Sequence, residues 1–153
     1  MTRVFLDANV YFAGCASPTG ASALILQLAR RRVIRVMASR LVLQEAERNL
    51  RRKSHPSSVE TFHRFLKNTE MTVIPAPSEA VLGQCEAVIH PKDVPVLAAA
   101  IHAQVDYLVT LDRKHFLTMS VRSHARGINI LTPGDFLKHL LQHPDAMPGP
   151  VSA

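Results

Sequence analysis

The stretch Val4-Phe5-Leu6-Asp7-Ala8-Asn9 decides the fold. Three apolar residues are followed by a carboxylate, then by a short turn carrying an amide. So apolar a run near the start of the chain reads as a strand buried on both faces, as in a parallel sheet. An acid directly after such a strand stands at its carboxyl end. In open α/β sheets that end is where ligands bind. The expectation is that the chain's other acids are carried to Asp7.

Working outward, strand and helix patterns alternate. The turn Ser17-Pro18-Thr19-Gly20 precedes a helix from Ala21 to Arg32, with Leu24 and Leu28 at i, i+4 spacing. Val33 to Met37 reads as a second strand. Ser39 is a good N-cap for a helix reaching Lys53. A break at Ser54-His55-Pro56-Ser57 is followed by a helix through Leu66. Met71 to Ile74 reads as the third strand, Tyr107 to Val109 as the fourth and Ile128 to Leu131 as the fifth. Helices are expected from Ser78 to Ile89, from Val94 to Ala103 and from Phe136 to Gln142. Five short apolar strands alternating with helices make a three-layer α/β/α fold around a parallel sheet. Residues 1–142 are read as one domain, and residues 143–153, with three prolines, as a flexible tail.

Composition narrows the function. The chain has 153 residues, 47% apolar and 20% charged, which are globular values. No apolar run reaches the roughly 20 residues of a membrane span, and no signal peptide is visible. Cys15 and Cys85 lie far apart without metal-ligand spacing, so they read as buried thiols of a cytoplasmic protein. The net charge is +6. Between Gly20 and Lys67 there are 11 Lys or Arg and 3 acids, a net of +8. That asymmetry suits a polyanionic partner such as nucleic acid. It equally suits solvated helix faces. Aromatic content of 5% and the lack of Trp disfavour a base-stacking platform.

The acids carry the chemistry. Asp7 follows strand one and Asp112 follows strand four. If those strands are neighbours, both carboxylates face one crevice. Asp93 stands at the N-cap of the helix that leads into strand four. Clustered carboxylates repel one another, and a hard divalent cation relieves that repulsion. Such an ion can polarise a phosphoryl oxygen and activate water. Each acid also has a plainer reading: Asp7 as a turn former, Asp93 as a cap, Asp112 as a cap of the Arg113-Lys114-His115 turn. Glu45 points largely away from the stripe Val42, Leu43, Ala46 and Leu50. Pattern alone makes it a surface acid paired with Arg48. Asp106 precedes its strand and reads as structural. Glu45, Arg48, Asn49 and Arg52 share one helix face, which would suit a phosphate-lined groove or an exposed salt-bridged surface. The eight histidines show no two-His metal motif, and there is no Gly-rich phosphate loop.

Several stretches in order resemble the PIN-domain family. They are Val4-Phe5-Leu6-Asp7-Ala8-Asn9-Val10, then Ser39 to Glu45, then Asp93-Val94-Pro95-Val96-Leu97-Ala98-Ala99-Ala100, then Asp106-Tyr107-Leu108-Val109-Thr110-Leu111-Asp112, and finally Gly127 to Leu137. The resemblance covers about Arg3 to Leu141. It implies a sheet in the order 3-2-1-4-5 and a ribonuclease dependent on Mg²⁺ or Mn²⁺. It implies that Asp7, Glu45, Asp93 and Asp112 are the catalytic and metal-binding acids. Asn9 and Thr110 would orient Asp7 and Asp112. Arg48 and Arg52 are the candidates for holding RNA phosphates. The resemblance thus reverses the plain reading of Glu45. Small bacterial members are mostly toxins of toxin–antitoxin pairs, so it also implies RNA, an antitoxin protein and a second copy of the chain as partners.

Two departures from the family pattern stand out. His90-Pro91-Lys92 replaces the acids often found before the third acid, so Lys92 is expected to weaken metal affinity. Leu111 stands where Gly is common, which stiffens the turn that aims Asp112. The alternative reading is a non-catalytic RNA-binding or assembly module, disfavoured because all four acids are present. A phosphotransfer fold would want a second Asp at position 9 or paired N-terminal acids, and the chain has neither.

Overall fold

The computed structural model describes residues 1–143. The expected tail, beyond His143, lies outside the described residues. Strands β1 (Arg3–Leu6), β2 (Arg35–Ala38), β3 (Met71–Val73), β4 (Tyr107–Val109) and β5 (Asn129–Leu131) form one parallel sheet in the order β3-β2-β1-β4-β5. This is the order that the family resemblance implied. β1 is central, with Phe5 opposite both Met37 and Leu108. Val4, Phe5 and Leu6 are fully buried, because a central strand covered on both faces has no side chain left for water.

The helices are α1 (Ala8–Ala16), α2 (Ala21–Arg30), α3 (Arg40–Lys53), α4 (Pro56–Asn68), α5 (Glu79–Glu86), α6 (Val94–His102), α7 (Arg113–Phe116), α8 (Met119–His124) and α9 (Pro133–Gln142). α1 to α4 pack on one another, α9 joins them through α2, and α5 packs on α6. Ser39 caps α3 as its sequence predicts, accepting a hydrogen bond from the Val42 N–H at 3.2 Å. Cys15 and Cys85 are free and buried. Among the described residues, no single helix is long and apolar enough to cross a membrane.

Three local readings need correction. The residues after Asp7 form a helix, α1, where the sequence suggested only a turn. Ala8, Val10, Tyr11, Gly14 and Cys15 are all buried, and a helix covered on most sides has no amphipathic period to read. Its contact with α2 is tight: a Cβ on Gly14 would meet Leu26 Cδ1 at 2.5 Å and the Ser22 carbonyl oxygen at 3.0 Å. The short helices α7 and α8 were also not foreseen, since each is little more than a capped turn.

The second strand starts at Arg35 rather than Val33. The cause is the end of α2. Arg32 takes a left-handed conformation at φ 62°. Its N–H donates to the Ala29 carbonyl at 3.1 Å, and the Val33 N–H donates to the Leu28 carbonyl at 2.9 Å. That is a Schellman cap built without glycine. The end of α6 repeats it. Gln104 has φ 52°, and the N–H groups of Gln104 and Val105 donate to the carbonyls of Ile101 and Ala100 at 3.0 and 3.4 Å. The two helices that feed β2 and β4, the strands flanking β1, therefore stop in the same way.

A left-handed Gln has a Cβ that crowds its own carbonyl, whereas glycine has none. Gln104→Gly is therefore expected to stabilise the protein by ~0.5–1 kcal/mol, read as a raised denaturation midpoint at unchanged slope.

Candidate metal centre

Asp7 leaves β1 directly and caps α1. Its residue exposure is 7%, so its carboxylate needs donors inside the protein. The Ala8 N–H donates to Oδ1 at 2.8 Å. The Thr110 hydroxyl donates to Oδ2 at 2.7 Å, and the Asn9 side-chain amide donates to the same oxygen at 3.2 Å. Asn9 also accepts the Leu111 N–H at 3.1 Å. Thr110 Oγ1 in turn accepts the Asp112 N–H at 3.0 Å. Asn9 and Thr110 thus tie the end of β1 to the end of β4. β1 and β4 are neighbours, as the shared crevice required.

Asp93 ends the 3-10 turn Pro91–Asp93 and stands at the start of α6. Capping residues normally have an extended backbone, which lets the side chain reach back to the second or third helical N–H. Asp93 has φ −99° and ψ −5°, and the second helical residue is Pro95, which has no N–H. Accordingly its side chain makes no capping hydrogen bond. Its Oδ2 is buried and has no hydrogen-bond partner among the described residues. The competition between capping and ligation expected for Asp93 is settled against capping.

Asp112 is a true cap, with Oδ1 accepting the His115 N–H at 3.1 Å. The His115 ring folds back so that Nδ1 lies 2.7 Å from Asp112 Oδ2 and 3.3 Å from Asp93 Oδ2. Ligand atoms of Asp93, Asp112 and His115 lie within 4.8 Å of one another. Asp7 and Glu45 fall outside that group at this spacing; Asp7 is coupled by charge to Asp93, and Glu45 to Asp7. Sequence reasoning missed His115, because it sought paired histidines. The available signal was the i, i+3 spacing from Asp112 across a helix start.

The electrostatics couple the four acids in sequence: Glu45 to Asp7, Asp7 to Asp93, and Asp93 to Asp112. Burial pushes Asp7 from 3.8 up to about 6; the hydrogen bonds from Thr110 and Ala8 oppose this, and repulsion from Glu45 and Asp93 adds to it. Burial, then the Asp112 carboxylate, raises Asp93. Asp112 is itself pushed up by burial, but the His115 side-chain and backbone hydrogen bonds hold it below its ordinary value. Lys92 lowers both Asp93 and Asp112, so the departure noted in the sequence does face the acids.

Glu45 is half-buried on α3, near enough to Asp7 for the two to repel. Its expected ion pair with Arg48 does not form among the described residues. The i, i+4 pair on this helix is Glu47 with Arg51 at 3.6 Å, and Glu47 also meets His63. Arg48 and Arg52 are exposed. Asp106, read as structural, accepts the Arg3 N–H at 2.8 Å.

A family model described as a PIN domain matches residues 3–114. The chain belongs to the PIN-domain family. Members of that family are in general nucleases that use divalent metals. Two solved structures share the PIN fold seen here. VapBC2 from Rickettsia felis, bound to a DNA fragment from their promoter, has a TM-score of 0.63 at 16% identity over 86% of this chain and 98% of that one. PAE2754 from Pyrobaculum aerophilum has a TM-score of 0.60 at 15% identity over 93% and 97%. No curated protein matches the chain. The donor set fits the divalent ion of a PIN domain. Asp93 Oδ2 lacks a hydrogen bond, the Asp112 and Asp7 carboxylates are coupled to Asp93 by charge, and carboxylate oxygens are the kind of ligand a hard cation takes.

Burial of Asp7 has a consequence for stability. The folded chain holds the Asp7 proton to higher pH than the unfolded chain does. Stability from this group is therefore greatest below about pH 4 and falls as pH rises from 3.8 to about 6. The loss is roughly 3 kcal/mol. In chelator, wild type should weaken relative to Asp7→Asn across that window, as measured by urea unfolding. A pH-independent difference between the two would contradict this account. Removing the Lys92 charge should tighten binding of a divalent ion several-fold, and isothermal titration of Lys92→Ala with Mn²⁺ measures it.

Proposed function

We propose that the protein is a metal-dependent endoribonuclease, the toxin of a type II toxin–antitoxin pair. The observation that carries this reading is the convergence of charge at the carboxyl ends of β1 and β4, with a buried Asp93 oxygen there left without a hydrogen bond. Asp7, Asp93 and Asp112 would hold Mg²⁺ or Mn²⁺, with Glu45 at the margin. An ion bound there polarises a phosphoryl oxygen and activates water for in-line attack.

The chain's own residues prepare the site. Thr110 and Asn9 fix the Asp7 carboxylate, so no side-chain reorganisation is needed when an ion or substrate arrives. Glu45 is less buried than Asp7 and has no ion pair among the described residues. It is therefore the acid free to position the attacking water. Arg48 and Arg52, exposed on the same helix, would hold flanking phosphates. This route does not need the 2′-hydroxyl and leaves 5′-phosphate and 3′-hydroxyl ends.

The partner readings rest on family membership and on the likeness to VapBC2, a toxin–antitoxin protein. They are an antitoxin protein and a second copy of the chain. A cytoplasmic setting is supported by two buried, unpaired thiols.

Cleavage of RNA in Mg²⁺ or Mn²⁺ tests the reading. Asp7→Ala should lose more than the about 10–100-fold typical of an outer-sphere change, while remaining folded by circular dichroism. Equal cleavage by wild type and Asp7→Ala would overturn it. A wild-type protein that binds RNA but neither Mn²⁺ nor Mg²⁺ would instead favour the non-catalytic module.

A further inference from the structure

We propose that His115 supplies a nitrogen ligand to this metal site, shifting its selectivity from Mg²⁺ towards first-row transition ions. The inference rests on the metal site proposed above and adds a donor that the four-acid set does not contain.

The placement of His115 follows from the local chain. Asp112 caps α7, and its Oδ1 holds the His115 N–H. Phe116, the next residue, is fully buried and anchors the turn. His115 is consequently held over the acids with its ring half-exposed. The His90 ring lies beside it, with centroids 5.6 Å apart and planes at 34°, which limits its rotation. Nδ1 points between two carboxylate oxygens at 2.7 and 3.3 Å.

Those separations suit a shared ion. Octahedral ligands at about 2.1 Å from a metal lie about 3 Å from each other. The second observation is independent of the cluster's composition: Asp93 Oδ2 is buried and lacks a hydrogen bond, although His115 Nδ1 is close by. Nδ1 is engaged by Asp112 at the shorter distance, and its 3.3 Å approach to Asp93 Oδ2 is an ion-pair contact without a hydrogen bond. A cation between the three atoms would satisfy all of them. A buried oxygen in that state calls for such a partner.

The plainer reading is a protonated His115 acting as counter-ion to two acids. The two readings differ in which atom occupies the space between the ligands. In ligation, the neutral imidazole carries its proton on Nε2 and directs the Nδ1 lone pair inwards. Oxygen-only sites suit Mg²⁺, whereas an imidazole favours transition ions over it.

Pulsed electron paramagnetic resonance on the full chain with Mn²⁺ separates these readings. Wild type should show echo modulation from a directly bound nitrogen. His90→Gln should retain the modulation, and His115→Gln should lose it. His115→Gln should also weaken Mn²⁺ by about 10-fold or more and Mg²⁺ by much less, in parallel calorimetric titrations. Bound Mn²⁺ without nitrogen modulation in wild type overturns the inference and leaves the oxygen-ligated site standing. Modulation that survives His115→Gln overturns it too. Failure of wild type to bind Mn²⁺ at all overturns both this inference and the metal-dependent function. Should His115→Gln not fold, the wild-type and His90→Gln spectra decide the matter: a nitrogen signal in both supports His115, and loss in His90→Gln assigns the ligand to His90 instead.

Discussion

The hydroxyl of Thr110 donates to Asp7 at 2.7 Å and accepts the Asp112 N–H at 3.0 Å. That one group joins the ends of two neighbouring strands and aims an acid on each. It can do so only because β1 and β4 lie side by side at the centre of the sheet. There the chain's crossovers diverge, the arrangement at which open α/β sheets form a ligand crevice. Thr110 is fully buried, so its hydroxyl has no water to turn to and must bond to protein. Asn9 supports the same join from the α1 side. The site is therefore stiffest where the strands are most deeply packed.

Around that join the acids have different environments. Asp7 is buried and pushed up to about 6. Asp112 is held below its ordinary value by His115. Asp93 has a buried oxygen without a hydrogen bond. A polar cluster like this costs stability unless something neutralises it. In this chain Lys92 supplies part of that charge, lowering both Asp93 and Asp112. The basic stretch from Gly20 to Lys67, net +8, includes α3, which brings Glu45 to the site and exposes Arg48 and Arg52 beside it.

The strands were legible in the sequence because residues buried on both faces must be apolar without interruption, as in Val4-Phe5-Leu6 and Tyr107-Leu108-Val109. The cap at Ser39 was legible because side-chain capping needs particular residue types. The helix after Asp7 was not, since burial on most sides erased its period. The start of β2 was not, since a left-handed Arg32 carries no glycine to mark it. The site divided in the same way. Asp7 and Asp112 could be found from their strands, and Asp93 from its place before α6. Glu45 came from family resemblance alone, because its helix pattern pointed to the surface.

By itself, the sequence determined the parallel sheet and the acid at the end of its central strand. These are properties of short segments, set by local burial and capping chemistry. Only the tertiary structure decided that Asp93 does not cap its helix, that Glu45 leaves Arg48 alone and faces Asp7, and that His115 turns back onto two acids. Those outcomes depend on distances between segments far apart in the chain, and no local pattern encodes them. Asp7, read first as the end of one strand, is in the folded protein one member of a charge cluster drawn from four separate segments of the chain.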